Sequence, residues 1–530
     1  MVNKIKSFFG DGTKYAFPIL FLYLLLYFIL LASSNSCAIT KAFWIFLGLI
    51  SLGFSILILS AAKKIGSLKL KSLSYLIDKT SYLQIICVFL ISLIVFLFYF
   101  SGSFTEMAEG SDVYVQYSQA IGQTPYSNWH PVLHTLLFFT LPLKVIEQYS
   151  FIVILQLVYF CLAFTYLIFV LRINGAPRLF LACLCIYIWL NPFLAPYMMS
   201  PLKDIAMMIF AILLLAYYIQ IICSKAAWLQ KKRNLLLFSL VSVACGFMRH
   251  NAVLFVAPLV LIVLFYAAKD KKIRFSLVAT ILITVFLVKG IYLCLNVESP
   301  SQRKVETIGL PLTIWCNVMQ TYPSSLPTET QLALYDLIPE EFYDSFYLSA
   351  GFNSIKWNEG MNLDKIDALS YAEVLKYTYQ CFRYDPKGSL EALASLTSFV
   401  WKMDISDSVY NPLSDTNEAV FPAAATFVRQ LATLFGTGFW GSLFGSYGLE
   451  LFLMLITGVI LLVQNRMSIL HVLPFFCYDF GTMLLLTGRD YRFFLFNIPL
   501  WLPVLFLMLR DDAMFHEIFL AEKTKRHQER

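Results

Sequence analysis

The chain has 530 residues, 59% of them hydrophobic, 16% aromatic and only 14% charged, and its mean hydropathy is +0.70. A soluble core of this length cannot hide so many apolar side chains, so the composition excludes a soluble globular protein and points to the membrane. The formal charge of +7 calls for no nucleic-acid partner, because lysine and arginine gather in short loops between apolar runs, where they set membrane orientation.

Runs such as "AFPILFLYLLLYFILLA" and "LQIICVFLISLIVFLFYF" continue for about 20 residues without a charge, enough for a helix to cross a hydrocarbon core roughly 30 Å thick. The first run is too long for the apolar part of a signal peptide and has no convincing cleavage site, so it is read as a span. Strand-type alternation is absent, which disfavours a β-barrel. Predicted spans are 15–36, 42–62, 82–101, 149–171, 179–198, 205–223, 235–248, 251–268, 275–295, 447–463, 469–487 and 493–510. The expected fold class is therefore an all-α polytopic membrane protein of about 12 transmembrane helices.

These spans divide the chain into an N-terminal transmembrane region (1–296), a long hydrophilic segment (297–446), C-terminal helices (447–510) and a basic tail (511–530). The lysine-rich connections, from the N-terminus through "AAKKIGSLKLKSLSYLIDK", "LRINGAPR", "SKAAWLQKKRN", "AAKDKKIR" and "QNRMS" to the tail, all fall on one side. By the orientation rule that side is cytoplasmic, along with both termini, in a cell membrane. The 297–446 segment, with turns at "QTYPSSLPTE" and "RYDPKGS" and helix-like stretches between, reads as a small, mainly helical external domain. Cys316 and Cys381 both lie in it, so a disulfide between them is open.

The remaining breaks lie on the opposite face and hold the unusual polar residues. In the first external loop (102–148), "EGSDVYVQYSQ" places Asp112 at the start of a helix followed by Tyr114 and Tyr117, with Glu109 just before. Asp112 or Ser111 can cap that helix, and capping does not exclude a chemical role. His130 and His134 share a helix face, but no third ligand stands near; a hydrogen-bonding role for His130, beside Trp129, is the stronger reading. The apolar stretch after His130 is short and ends in charges, as a helix lying in the interface plane would.

"SPLKDIAMM" then puts Lys203 and Asp204 at the mouth of a span, and "GFMRHNAVL" puts Arg249, His250 and Asn251 between two apolar runs with almost no loop. "TGRDYRFF" adds Arg489, Asp490, Tyr491 and Arg492. Each group has a plain structural explanation: a self-neutralising pair, a helix cap, an interface anchor. Cations on the face that the orientation rule leaves poor in them are better explained by an anionic ligand, and arginine's fork of donors matches phosphate oxygens. Phosphate-binding glycine loops, dinucleotide fingerprints and nucleophile elbows are absent.

With "GSDVYVQYSQAIG" followed by "SNWHP" in the first external loop, interfacial helix material there, many spans and a late external domain, the chain resembles the bacterial integral-membrane glycosyltransferases of the GT-C superfamily, the group that includes protein O-mannosyltransferase-like and aminoarabinose transferase-like enzymes. It is closest in character to Gram-positive members. The resemblance implies transfer of a sugar from a polyprenyl-phosphate donor to a cell-envelope glycan, lipid or protein acceptor at the outer face. It makes Asp112 the first-loop acid, acting as general base toward the acceptor hydroxyl or orienting it, and Lys203, Arg249, Arg489 and Arg492 the candidates for stabilising the departing phosphate. Many relatives carry two adjacent acids in this loop, whereas Asp112 has Ser111 and Val113 as neighbours and Glu106 and Glu109 further back; no metal and no other cofactor is expected. The rival readings are a transporter or lipid-linked glycan flippase, a polysaccharide polymerase or ligase, and a non-catalytic scaffold.

Overall fold

The computed structural model describes residues 12–35, 41–64, 79–104, 107–267, 270–298, 304–405, 421–464 and 466–510. These residues are overwhelmingly helical, with an isolated β-bridge between Ser127 and Glu298. Glu106, most of the lysine-rich connection after residue 64, and the basic tail lie outside the described residues.

Three peripheral helices open the chain: α1 (Gly12–Ser34), α2 (Lys41–Lys64) and α3 (Lys79–Ser103). The first external loop carries α4 (Asp112–Ala120) and a helical stretch, α5 (Val132–Leu143), whose middle, Thr135–Thr140, is wound as a π-helix. Then come α6 (Tyr149–Ile173), α7 (Arg178–Trp189), α8 (Lys203–Cys223), α9 (Lys232–Met248), α10 (Val253–Tyr266) and α11 (Lys271–Cys294). The hydrophilic segment forms α12 (Gly309–Thr321), α13 (Thr328–Leu337), α14 (Tyr371–Tyr384) and α15 (Pro386–Trp401). The chain closes with α16 (Pro422–Phe435), α17 (Gly438–Gly445), α18 (Tyr447–Val463), α19 (Leu473–Met483) and α20 (Asn497–Leu509).

Among the described residues, seven helices are long and apolar enough to cross a membrane, or eight if α17 and α18, bent by 69°, count as one broken span. The protein is thus a multi-pass, all-α membrane protein, while the expected count of 12 reaches further than the helix lengths do. The stretch 179–198 shows the reason. Asn191 precedes Pro192, a position that disfavours α-helical backbone, and the Asn191 side chain accepts from the amides of Phe193 and Leu194. Helix α7 therefore stops after 12 residues, about 18 Å. Likewise 251–268 yields the 14-residue α10, and 469–487 begins as a 3-10 turn before α19. Backbone that is buried in protein at membrane depth need not be one full-length helix.

Helix α8 is the most enclosed of the long apolar helices and α20 follows it, whereas α3 and α11 are mostly exposed, as lipid-facing helices are. One hydrophobic cluster runs from α6 and α8 through α19 and α20 into α12, α14 and α15, so the hydrophilic segment shares its core with the helices around it. The connection is tight at Gly309: a Cβ there would lie 2.3 Å from the Leu486 carbonyl oxygen, and this close approach holds α12 against the loop leading to Arg492. Ser370 starts α14 with a reciprocal capping box to Glu373. Cys316 and Cys381 are both buried, and both are free thiols in this structure.

Candidate functional site

The site begins with the cap of α4. Ser111, in extended conformation after Gly110 (φ 75°), accepts a hydrogen bond from the amide of Tyr114 at 3.2 Å. The capping role thus belongs to Ser111, and the Asp112 carboxylate turns elsewhere. Helix α4 buries Val113, Gln116 and Gln119 on one face, and Gln116 donates to Thr135 Oγ1 and lies 2.9 Å from His134 Nδ1. That contact fixes α4 against α5 and makes His134 a buried structural histidine. Farther along, the loop is tied to the end of α11 by paired backbone bonds between Tyr126–Asn128 and Glu298.

Asp112 meets two cations from distant parts of the chain. Its Oδ2 lies 3.1 Å from Lys203 Nζ, on the first residue of α8, and 3.4 Å from a terminal nitrogen of Arg492, on the turn before α20. Lys203 Nζ is also 3.3 Å from His130 Nδ1. Arg492 is held from its other side by Asp490, with Nε donating to Oδ2 at 2.7 Å. Beneath lies a second layer, in which Asp204 is ion-paired with Arg249 and stands 3.8 Å from Arg492 Nε. Side-chain exposure falls from 34% at Asp112, 24% at Arg492 and 18% at Lys203 to 9% at Arg249 and 2% at Asp204, which separates a mouth from a floor.

The break between α9 and α10 makes the floor possible. Arg249 adopts extended backbone there, its Nε donates to Asn251 Oδ1 at 2.6 Å, and its guanidinium sits 4.0 Å from the centre of the Phe493 ring. Asn251 in turn donates to Thr482 Oγ1. Arg249 therefore backs the site as the partner of Asp204, where direct contact with a phosphate was expected. Three acids (Asp112, Asp204, Asp490) face three cations (Lys203, Arg249, Arg492), so the formal charges of the cluster cancel.

Electrostatics differ sharply between the two titratable groups of the loop. Burial alone would raise the Asp112 carboxyl, but Lys203, Arg492 and His130 together outweigh it and hold Asp112 well below the usual carboxylate range. His130 is lowered too, which for a histidine favours the neutral form: burial first, then the Lys203 charge, push it down to about 4. The imidazole is neutral at pH 7, and accepting from Lys203 on Nδ1 leaves its hydrogen on Nε2.

Other expected site residues fall outside the cluster. His250 is exposed and bonds the Asn128 carbonyl at 3.1 Å, securing the loop. Arg489 donates to the backbone and side-chain oxygens of Ser395 on α15. Tyr491 is buried, stacks on Tyr447 with ring centres 4.4 Å apart and donates to the Gly445 carbonyl, so it anchors the turn that presents Arg492. Glu109 is exposed, Tyr114 and Tyr117 are half-buried, and among the described residues no hydrogen bond or ion pair joins the three to the cluster. Asp490, named from "TGRDYRFF" without a role of its own, proves to orient Arg492.

An apolar groove of about 640 Å³ is walled by Leu137 and Leu141 of α5, Leu155 and Tyr159 of α6, and Ile209 and Phe210 of α8. Ile209 is six residues, about 9 Å, along the helix that starts with Lys203. Among the described residues no group of three or more His, Cys, Asp or Glu side chains is placed to hold a metal ion. The fold and site thus define a multi-pass helical membrane protein with an interhelical charge cluster and a separate apolar groove between α5, α6 and α8. No family model, no curated protein and no solved structure matches this chain.

Proposed function

We propose that the protein is a membrane glycosyltransferase that moves a sugar from a polyprenyl-phosphate donor to a cell-envelope acceptor at the outer face of the cell membrane. The observation that carries the reading is the meeting of Asp112 with Lys203 and Arg492, three residues from segments far apart in the chain; it is supported by an apolar groove that takes Ile209 and Phe210 from the same helix that begins with Lys203. A phosphate with an apolar tail is the ligand that matches both halves.

In the ligand-free protein Asp112 is a weak base because two cations hold its charge. A lipid phosphate that draws Lys203 and Arg492 to itself relieves Asp112 of that stabilisation and raises its basicity. Asp112 then takes the proton from the acceptor hydroxyl as the acceptor oxygen bonds to the anomeric carbon. The bond from that carbon to the phosphate oxygen breaks, and its electron pair leaves with the lipid phosphate, where Lys203 and Arg492 meet the growing charge. Neutral His130 keeps the Lys203 ammonium aimed into the site, and Asp204 with Arg249 holds Arg492 from below.

The test is incubation of the purified protein with polyprenyl phosphate carrying a labelled sugar, together with envelope acceptors. Label passing to acceptor with release of free polyprenyl phosphate, lost in Asp112→Asn while folding is retained, is the expected result; undiminished transfer in that variant removes Asp112 from the mechanism.

A second reading, a transporter or lipid-linked glycan flippase, is favoured by a different observation. Glu450 and Asp479 are buried at 1% and 0% exposure within α18 and α19, where intramembrane acids mark ion pathways in many carriers. Movement of the labelled lipid across the membrane without cleavage of its sugar bond is the result that selects it.

A further inference from the structure

One loop of the hydrophilic segment rests on the chain that leads to Arg492. Residues 345–358 fold back on themselves, with the Tyr347 amide donating to Ser354 Oγ at 3.3 Å and Asn358 Nδ2 to Ser345 Oγ at 3.4 Å. The Asn353 amide donates to the Thr487 carbonyl at 3.0 Å. A Cβ on Gly351 (φ 62°) would lie 3.0 Å from that same oxygen, and one on Gly488 would lie 2.7 Å from the Ala350 carbonyl oxygen. Contacts this close leave the two segments no room to slide, so the loop is a fixed surface beside the turn that presents Arg492. That surface carries two large rings which the fold leaves uncovered: Trp357 is 68% exposed and Tyr347 57%. Lys356, buried and ion-paired with Glu306, places its Nζ 4.6 Å from the centre of a ring of Trp357 and so pins the indole from one side. Asp344, Asn353, Asn358 and Glu359, all exposed, stand on the same loop and its flanks.

We infer that Trp357 and Tyr347 form a stacking platform for a carbohydrate, and that the acceptor is therefore a glycan in preference to a lipid or a protein. The inference rests on the reading of the charge cluster as a sugar-transfer site and names the acceptor class which that reading leaves open. Three features select this occupant. A pyranose ring presents a flat C–H face that packs on an aromatic ring, and its hydroxyls bond at the rim to amides and carboxylates, the groups that Asn353, Asn358, Asp344 and Glu359 supply. A bilayer is disfavoured, because interfacial anchors surround their aromatic rings with Lys and Arg, whereas the exposed acids here repel anionic headgroups. The position suits an acceptor: Asn353 to Trp357 and Gly488 to Arg492 are four residues each, at most about 14 Å of extended chain apiece, so a short oligosaccharide on the rings can extend toward Asp112. The platform grips sugar units next to the one that reacts, and a pinned indole does so with little ordering cost.

The test is binding of soluble tetrasaccharides of glucose, mannose, galactose and N-acetylglucosamine to the full-length protein in nanodiscs, by saturation-transfer NMR, with no lipid donor present. At least one of them is expected to bind through its ring C–H protons. Trp357→Ala and Tyr347→Ala should each weaken that binding about tenfold, while Trp357→Phe, which keeps an aromatic face, retains most of it. Both positions are exposed, so the variants should melt like the unaltered protein. Binding of none of these sugars, or binding that both alanine variants leave intact, overturns the platform. Quenching of Trp357 fluorescence by brominated lipids, identified by its loss in Trp357→Phe, overturns it too, since the ring would then lie among headgroups. Glycan binding that needs both rings, without any sugar transfer from a lipid donor, upholds the platform and refutes the transferase reading alone. Transfer to a glycan with an acceptor KM that neither alanine moves refutes the platform alone.

Discussion

Asp204→Asn isolates the electrostatic floor of the site. The Asp204 side chain is 2% exposed and pairs with Arg249, itself only 9% exposed, and it also stands 3.8 Å from Arg492. The substitution keeps shape and removes the charge, leaving the Arg249 guanidinium buried without an anion. Removing one partner of a buried pair typically costs about 3–5 kcal/mol, because the surviving charge is uncompensated. The Phe493 ring below Arg249 and the hydrogen bond to Asn251 offset part of this, so a loss near the lower end, about 3 kcal/mol, is expected. Tryptophan fluorescence during unfolding by titrated SDS in mixed micelles measures it. A paired replacement, Asp204→Leu with Arg249→Met, should recover at least half of the loss, since it deletes both charges together. A loss below about 1 kcal/mol for the single variant, or no recovery in the pair, would refute the assignment of Asp204 as the counter-ion that holds the floor.

Three further outcomes follow from the geometry. His130 is held at about 4, below its ordinary value of 6.5, so the unfolded chain binds more protons between these limits. The stability due to its neutral form is complete above pH 6.5 and is lost as pH falls toward 4; His130→Gln should flatten that slope, and parallel slopes would contradict the assignment. Asp112, held below the usual carboxylate range, has its stability present above its unfolded value and loses it as pH falls through its folded value; because its charge also holds the His130 pKa up, Asp112→Asn should keep the His130 slope and extend it to lower pH. Ser111→Ala removes the cap of α4 at a cost of about 1 kcal/mol and should lower transfer with the Asp112 carboxylate intact, because the helix that presents it frays; retention of both stability and transfer would show the cap to be dispensable.

The membrane character and the helical class were legible in composition and run length, since both depend on sums over many residues. Asp112, Lys203 and Arg492 were singled out because each is a polar residue at the end of an apolar run, and they do come together. The depth of each group was not legible. Arg249 and Arg492 are the same residue type in similar settings, and what separates them is the acid beneath: Asp204 takes Arg249 into the floor while Arg492 reaches the mouth. The cap on α4 was ambiguous between adjacent residues that both favour the position, and only the Tyr114 amide decides it. The number of spans was not legible for a different reason. Hydropathy registers apolar side chains, but the short helices α7 and α10 are apolar through burial in protein as well as lipid, so the same signal does not report length. Glu450 and Asp479 went unnoticed because each is a single acid inside an apolar run, and enclosure by neighbouring helices is a tertiary property.

The central claim is that the phosphate of a lipid donor sits at Asp112, Lys203 and Arg492. A polyprenyl phosphate sugar with a photoreactive group on the carbon next to its phosphate, illuminated in nanodiscs and mapped by peptide mass spectrometry, reads that position directly. Labelling within α4, the 126–134 stretch and the first two turns of α8, reduced by Arg492→Gln, is the result the account predicts. Labelling confined to the lipid-facing helix α11, and unaffected by Arg492→Gln, would contradict it.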